Sequence, residues 1–208
     1  MNKNLSLARV VGHLMGDGYV NRRYIRYNNK NEFLLKNFQT HFLNIFSDIH
    51  FIKGRTSSGT LFVQVQNKKI IEILFELCED FRSHNLKFPN FIKTLGMKRE
   101  FISSIFDDEG CVGLRVFKKT GEIKRNLEIA SKSQRFLEGI KDILEKDFNI
   151  KCNKIISFTR NLNGKKFITW KLSITGKENF IKFKDKINFN SPEKIKRLDY
   201  MINSYIRK

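Results

Sequence analysis

Proline is nearly missing from this 208-residue chain: only Pro89 and Pro192 occur, and neither interrupts a periodic segment. Cysteine is scarce too. Cys78, Cys111 and Cys152 are odd in number and far apart, which excludes a disulfide framework and a zinc-ligand pattern. All three have apolar neighbours, so buried thiols in a reducing compartment are expected. No apolar run approaches the length needed to cross a bilayer and no signal peptide is visible, so the expectation is a soluble, intracellular protein. Acid is in short supply, with 21 Asp and Glu against 40 Lys and Arg, a formal net charge of +19 and a pI near 10.0. An excess of that size attracts polyanions through counterion release and costs stability through self-repulsion, which favours a nucleic-acid partner over a merely solvated basic surface.

What is present is a core's worth of apolar material. Hydrophobic residues make up 40% of the chain, including 20 Phe, alongside 29% charged residues. That composition is globular, and the length fits one large domain or two fused small ones. Hydrophobic periodicity predicts a helix from about Ser6, its N-cap, to Gly16, then strands near 19–22 and 24–29. A helix over 31–46, strands near 49–55 and 61–66 about a Ser57-Ser58-Gly59 turn, and a helix over 69–82 follow. After an apolar connector at 83–93 the order begins again. A helix covers 97–107, strands cover 112–118 and 125–131, and Ser133 caps a helix reaching Phe148. A hairpin over 154–160 and 166–174 turns at Asn163-Gly164, and helices over 177–188 and 192–206 close the chain. An αββαββα unit is written twice, which predicts an α+β fold of two pseudo-symmetric halves, residues 1–94 and 95–208, packed as one body.

The repeat aligns two helix ends. Val10–Gly18 reads VVGHLMGDG and Ile102–Gly110 reads ISSIFDDEG. Each is an apolar helix carrying a small residue at the same place, Gly12 or Ser104, and each ends in an acid followed by glycine, Asp17-Gly18 or Glu109-Gly110. The acids lie 92 positions apart, from 17 to 109. Small residues on one face let two helices approach closely, and glycine past a helix end permits the turn into a strand. If the helices pack side by side, Asp17 and Glu109 converge at two C-termini, where the dipole already favours a cation. Paired like charges need neutralising, and Mg²⁺ prefers oxygen ligands of carboxylate and phosphate.

These two segments, each followed by ββαββα, resemble the LAGLIDADG motifs of single-chain homing endonucleases, and the resemblance covers essentially the whole chain. Met15 stands where the motif often has an acid, and Ser103-Ser104 replace the usual Ala-Gly. The resemblance implies motif helices packed at a central interface beneath curved antiparallel sheets that form a saddle for DNA. It implies a monomer that hydrolyses both strands of a long double-stranded DNA target with Mg²⁺, Mn²⁺ or Ca²⁺ being able to replace it in binding. Asp17 and Glu109 would hold the metal, with Gly16 and Asp108, the residues just before them, included in the metal set. Lys30 and Lys132 would assist catalysis after the polar Asn29 and Ser131, with Gln66 and Lys171 (or Ser173) in the surrounding shell. The Asp107-Asp108 pair itself reads as solvent charge at a helix end. His13, inside the first motif, is expected to pack or satisfy a hydrogen bond; with His41, His50 and His84 scattered, no Ser-His-Asp or Cys-His set forms.

Strand alternation then nominates a DNA face. In the second half it takes Arg115 and Phe117, then Lys124, Asn126 and Glu128, then Thr169, Lys171 and Ser173. In the first half it takes Asn21, Arg23, Tyr24 and Arg26, then Lys53 and Arg55, then Gln64 and Gln66. From Gly18 to Lys30 is 12 positions, against 22 from Gly110 to Lys132, so the first half is expected to read fewer bases of an asymmetric target. Two rival functions share the scaffold: an intron-borne maturase that binds intron RNA to assist splicing, and a DNA-binding protein that has lost cleavage.

Overall fold

The computed structural model describes residues 2–162 and 165–205; the Asn163-Gly164 turn and Ile206 lie outside them. The first half runs α1 (Lys3–Met15), β1 (Gly18–Val20), β2 (Ile25–Asn29), α2 (Glu32–Ile45), β3 (Ile52–Arg55), β4 (Leu61–Val65) and α3 (Lys68–Leu77). The same order returns as α4 (Leu95–Glu109), β5 (Cys111–Val116), β6 (Ile123–Ser131), α5 (Gln134–Lys146), β7 (Ile156–Leu162), β8 (Lys165–Ile174) and α6 (Lys177–Lys186), with α7 (Pro192–Asn203) added. Each half has one four-stranded antiparallel sheet, ordered β1-β2-β4-β3 and β5-β6-β8-β7. The α+β architecture with two repeated halves is as the sequence predicts.

Local chemistry sets the element ends. Asn31, Asn67, Thr94 and Ser133 each accept a backbone N–H of the first turn of α2, α3, α4 and α5. Ser6 does not cap α1. The helix starts earlier, at Lys3, because the Asn2 side chain accepts from the N–H groups of Asn4 and Leu5. Ser6 instead lies buried in the helix, its hydroxyl 3.0 Å from His41 Nδ1 and 2.9 Å from Asn44 Nδ2. Helix α3 ends at Leu77 rather than Arg82, since the Asp80 carboxylate takes the Arg82 N–H and guanidinium into a local turn that competes with further helix.

The core is built around α1 and α4, which pack along one another with the sheets flanking them. Gly12 is what permits the approach. A Cβ there would sit 2.8 Å from the Phe101 carbonyl oxygen and 2.8 Å from Ser104 Cβ. Farther along, the mostly buried Arg9 guanidinium bridges to Glu100 and to Asn37, tying α1 to α4 and to α2. Aromatic residues fill the space beneath each sheet: Tyr27, Phe38 and Phe42 on one side, Phe106, Phe180 and Phe183 on the other. The cysteines do not share one environment. Cys78 is buried and Cys152 partly so, both thiols pushed up to about 12 by burial, whereas Cys111 is exposed at the start of β5. No helix among the described residues is long and apolar enough to cross a membrane.

Candidate functional site

Because α1 and α4 end at the same level, Asp17 and Glu109 emerge side by side where the two halves meet. Both residues reach the surface, yet the surrounding protein strips enough water from their carboxylates to raise their pKa. Asp17 is lifted to about 7, first by this loss of hydration and then by repulsion from Asp108 and Glu109. Glu109 is raised by the same loss and by Asp108. Asp17 thus feels Glu109 as well as Asp108, with Lys194 and His13 acting in the opposite direction.

The Asp107-Asp108 pair is not solvent charge. The Asp108 side chain is wholly buried, with one oxygen 3.0 Å from His13 Nδ1 and the other accepting the Tyr27 hydroxyl at 2.6 Å and the Asn29 amide at 3.2 Å. Room for it exists only because residue 16 is glycine: a Cβ on Gly16 would lie 2.7 Å from Asp108 Cβ. Of the metal set taken from the resemblance, Asp108 therefore has its carboxylate committed to the first half, and Gly16 has only backbone to offer. Asp107 is buried too. It accepts the backbone N–H groups of Asn190 and Ser191 and the Asn190 amide, fixing the start of α7. His13 is fully buried among Tyr27 and Phe38, its Nδ1 on Asp108 and its Nε2 without a partner among the described residues.

The shell residues sort by strand direction. Asn29, at the end of β2, donates its amide to Asp17 at 3.3 Å as well as to Asp108. Ser131, at the matching end of β6, lines with Glu109, Lys132, Met15, Gly16 and Thr169 a cleft of about 320 Å³. Lys30 and Lys132 follow these two residues and are both exposed. Lys171 sits opposite Ala130, one step from that end, and pairs with Glu128 at 3.3 Å. Gln66 does not belong here: β4 runs antiparallel to β2, so Leu61 lies opposite Asn29 near the acids and Gln66 leaves the strand at the far end.

Strand register also tests the nominated face, because paired residues on neighbouring antiparallel strands point the same way. In the second half, Arg115 pairs with Lys124 and Ser173 with Glu128, while Asn126 pairs with Gly113. These, with Phe117, Thr169 and Lys171, share the face away from buried Leu127, Ile129 and Leu172. In the first half, Arg26 pairs with Gln64 on that face, its guanidinium bonded twice to the Gln64 carbonyl oxygen and stacked over Tyr24 and Phe62. Lys53 and Arg55 do not join them. They pair with Val63 and Leu61 on the opposite face, beside α2, and Ile52 and Gly54 take the expected phase. Ile52 misleads because it is an apolar residue left 40% exposed on an edge strand. Asn21 mainly shapes its turn, its side-chain oxygen accepting the N–H groups of Arg23 and Tyr24. The face includes Tyr19, which sequence reasoning passed over; it pairs with Arg26 and lies 5.6 Å from the Tyr24 ring.

Reasoning from sequence also missed Lys194. From the first turn of α7 its ammonium donates to the carbonyls of Phe106 (3.0 Å), Asp107 and Gly110 (2.6 Å) at the end of α4. Burial lowers its pKa, opposed by the neighbouring charges of Asp107, Asp108 and Asp17. The signal was present but faint: a lysine in a first helical turn is placed against its own helix dipole.

Residues 96–188 match the family model described as LAGLIDADG-like domain. The homing endonuclease I-DmoI in complex with DNA and Ca shares 17% identity at a TM-score of 0.64, covering 96% of this chain and 100% of that one. Full-length DUF199/WhiA from Thermatoga maritima shares 14% identity at a TM-score of 0.61, covering 100% of this chain and 62% of that one. A glutamine–fructose-6-phosphate aminotransferase (isomerizing) of Methanocaldococcus jannaschii is 23% identical over 207 residues, 95% of this chain but only 17% of that protein's length. At these identities the structural likenesses establish the fold alone: over its whole length the chain has the fold of the single-chain LAGLIDADG endonuclease I-DmoI, and within it residues 96–188 match the LAGLIDADG-like domain.

Proposed function

We propose that the protein is a site-specific endonuclease that hydrolyses both strands of a long, asymmetric DNA duplex with a divalent metal, acting as a monomer because one chain supplies both motif acids. The observation that carries this reading is the meeting of Asp17 and Glu109 at the ends of α1 and α4, close enough to repel each other. The donor set suits Mg²⁺. Among the described residues no three acidic, His or Cys side chains converge as a complete cage, and Mg²⁺ characteristically uses one or two carboxylates together with substrate phosphate. Bound there, such an ion would polarise phosphate oxygen and supply a nucleophile from water. The I-DmoI structures with DNA and Ca, Mn or Mg support the same class of ion.

The chain's own residues have distinct tasks in this reading. Asn29 orients the Asp17 carboxylate through its amide. Lys132 stands beside Glu109 in the cleft and Lys30 after Asn29, each placed to offset charge that grows on a scissile phosphate. Arg26, Arg115, Lys124, Asn126, Thr169 and Ser173 present donors and acceptors to base edges and backbone, while Gln64 is buried and serves to hold the Arg26 guanidinium. Incubation of supercoiled plasmid libraries with Mg²⁺ tests the proposal. We expect linear product from a subset of sites, and a loss of cutting of at least ~10³-fold in Asp17→Asn and in Glu109→Gln with DNA binding retained.

A DNA-binding protein without cleavage is the second reading. The commitment of Asp108 to His13, Tyr27 and Asn29, and the ammonium of Lys194 beside the acids, favour it. Tight sequence-specific binding with no nicking in Mg²⁺ or Mn²⁺ would select that alternative.

A further inference from the structure

Lys194 is an anomaly that neither the core nor the proposed chemistry requires. It lies in the first turn of α7, where the positive end of the helix dipole disfavours a cation, and it is largely buried. All three of its protons are used on the carbonyls of Phe106, Asp107 and Gly110, so the ammonium is pinned at one point. The Phe189 ring, 5.9 Å away, closes one side. No carboxylate among the described residues makes a direct ion pair with it, yet Asp17, Asp107, Asp108 and Glu109 all lie within its field. Asp107 is already satisfied by Asn190 and Ser191, and Asp108 by His13, Tyr27 and Asn29. The Asp17 carboxylate has a single weak partner, the Asn29 amide, and the Glu109 carboxylate has no hydrogen bond among the described residues. The charge left over is therefore that of the two motif acids, and Lys194 is the buried cation fixed beside them.

We propose that Lys194 is the resident cation of this acid centre: a positioning residue that holds the end of α4, and so Glu109, and whose charge lets Asp17 and Glu109 stand together before any divalent ion or DNA arrives. In the first half the corresponding segment is the connector around Ser83–Leu86, which lines the cleft beside Met15. The centre is thus braced from one side only. The inference concerns the free protein and survives failure of the nuclease reading, since its test uses neither DNA nor cleavage.

Thermal melts without metal, at pH 8 and low salt, provide that test. Lys194→Gln keeps hydrogen-bond donors for the carbonyls but removes the charge; Lys194→Met removes both. Each should lower Tm, by roughly 5 °C or more for Met. The decisive comparison repeats both changes in an Asp17→Asn, Glu109→Gln background, where we expect the penalty of losing the charge to shrink by at least about half. An equal penalty in both backgrounds would show a simple helix cap and overturn the proposal, as would a Lys194→Gln variant that melts like the parent. If Lys194→Met does not fold, the Gln variant alone decides, because it isolates the charge.

Discussion

Gly12 and Gly16 on the first motif helix face Ser104 and Asp108 on the second. Two halves with the same order of elements therefore meet through unlike surfaces, one vacating space and the other filling it. The filling residue is polar and reaches across: Asp108 leaves α4 and finds His13 and Tyr27 of the first half. The lesson is that pseudosymmetry governs the backbone, while the interface works by complementarity between different side chains. Gly16→Val should test this most severely. Its branched side chain would enter the volume of Asp108, and a loss of about 3 kcal/mol or more in denaturant unfolding is expected. Ser104→Gly, on the opposite surface, should cost only about 1 kcal/mol. If the clash with Asp108 is the cause, Gly16→Ala should cost less in an Asp108→Gly background than in the parent, although Asp108→Gly is itself destabilising because it strands His13, Tyr27 and Asn29.

A second difference separates the equivalent positions 15 and 107. Asp107 accepts the N–H groups that open α7, whereas Met15 lies against the connector with no comparable duty. Asp107→Ala strands those donors and should cost about 2 kcal/mol, with faster amide exchange at the start of α7. Met15→Leu conserves volume and should cost under ~1.5 kcal/mol. Equal costs would mean that the acid in the second motif does no more than fill space.

The parts of this design that sequence exposes are the periodic ones. The αββαββα repeat, the N-cap Ser133 and the alternation in β5, β6 and β8 follow from residue type and spacing along the chain, whereas the caps Asn2 and Asn31 emerge only with the structure. The acids Asp17 and Glu109 were legible because each is tied to a glycine at a helix end. Lys53 and Arg55 were misplaced because β3 is a short edge strand on which Ile52 faces solvent, so hydrophobicity gave the wrong phase. Gln66 was misplaced because proximity along a strand says nothing of which end lies near the acids until the pairing is known. Asp108 and Lys194 were hidden for a deeper reason. Their partners lie 79 to 95 and 84 to 88 positions away, and a buried charge is recognisable only when its partners are known.

The smallest expected effect concerns an ionisable group that only one half possesses. The N-caps Asn31 and Ser133 bring His41 of α2 into correspondence with Ile143 of α5. Burial lowers the His41 pKa to about 4, helped by the nearby charges of Arg9 and His13, and its Nδ1 is matched to the Ser6 hydroxyl. In the unfolded chain this imidazole titrates near 6.5. Between those values the unfolded state binds the extra proton and the folded state resists it, so stability falls as pH drops from about 6.5 to 4 and is fully present above that window. His41 is only partly shielded, which screens the effect to about 1 kcal/mol. His41→Leu makes the first half resemble the second at this position. Urea unfolding at pH 7.5 and pH 4.5 should then show a smaller acid-induced loss in the variant by about that amount, whereas parallel losses would place the acid sensitivity elsewhere and erase this difference between the halves.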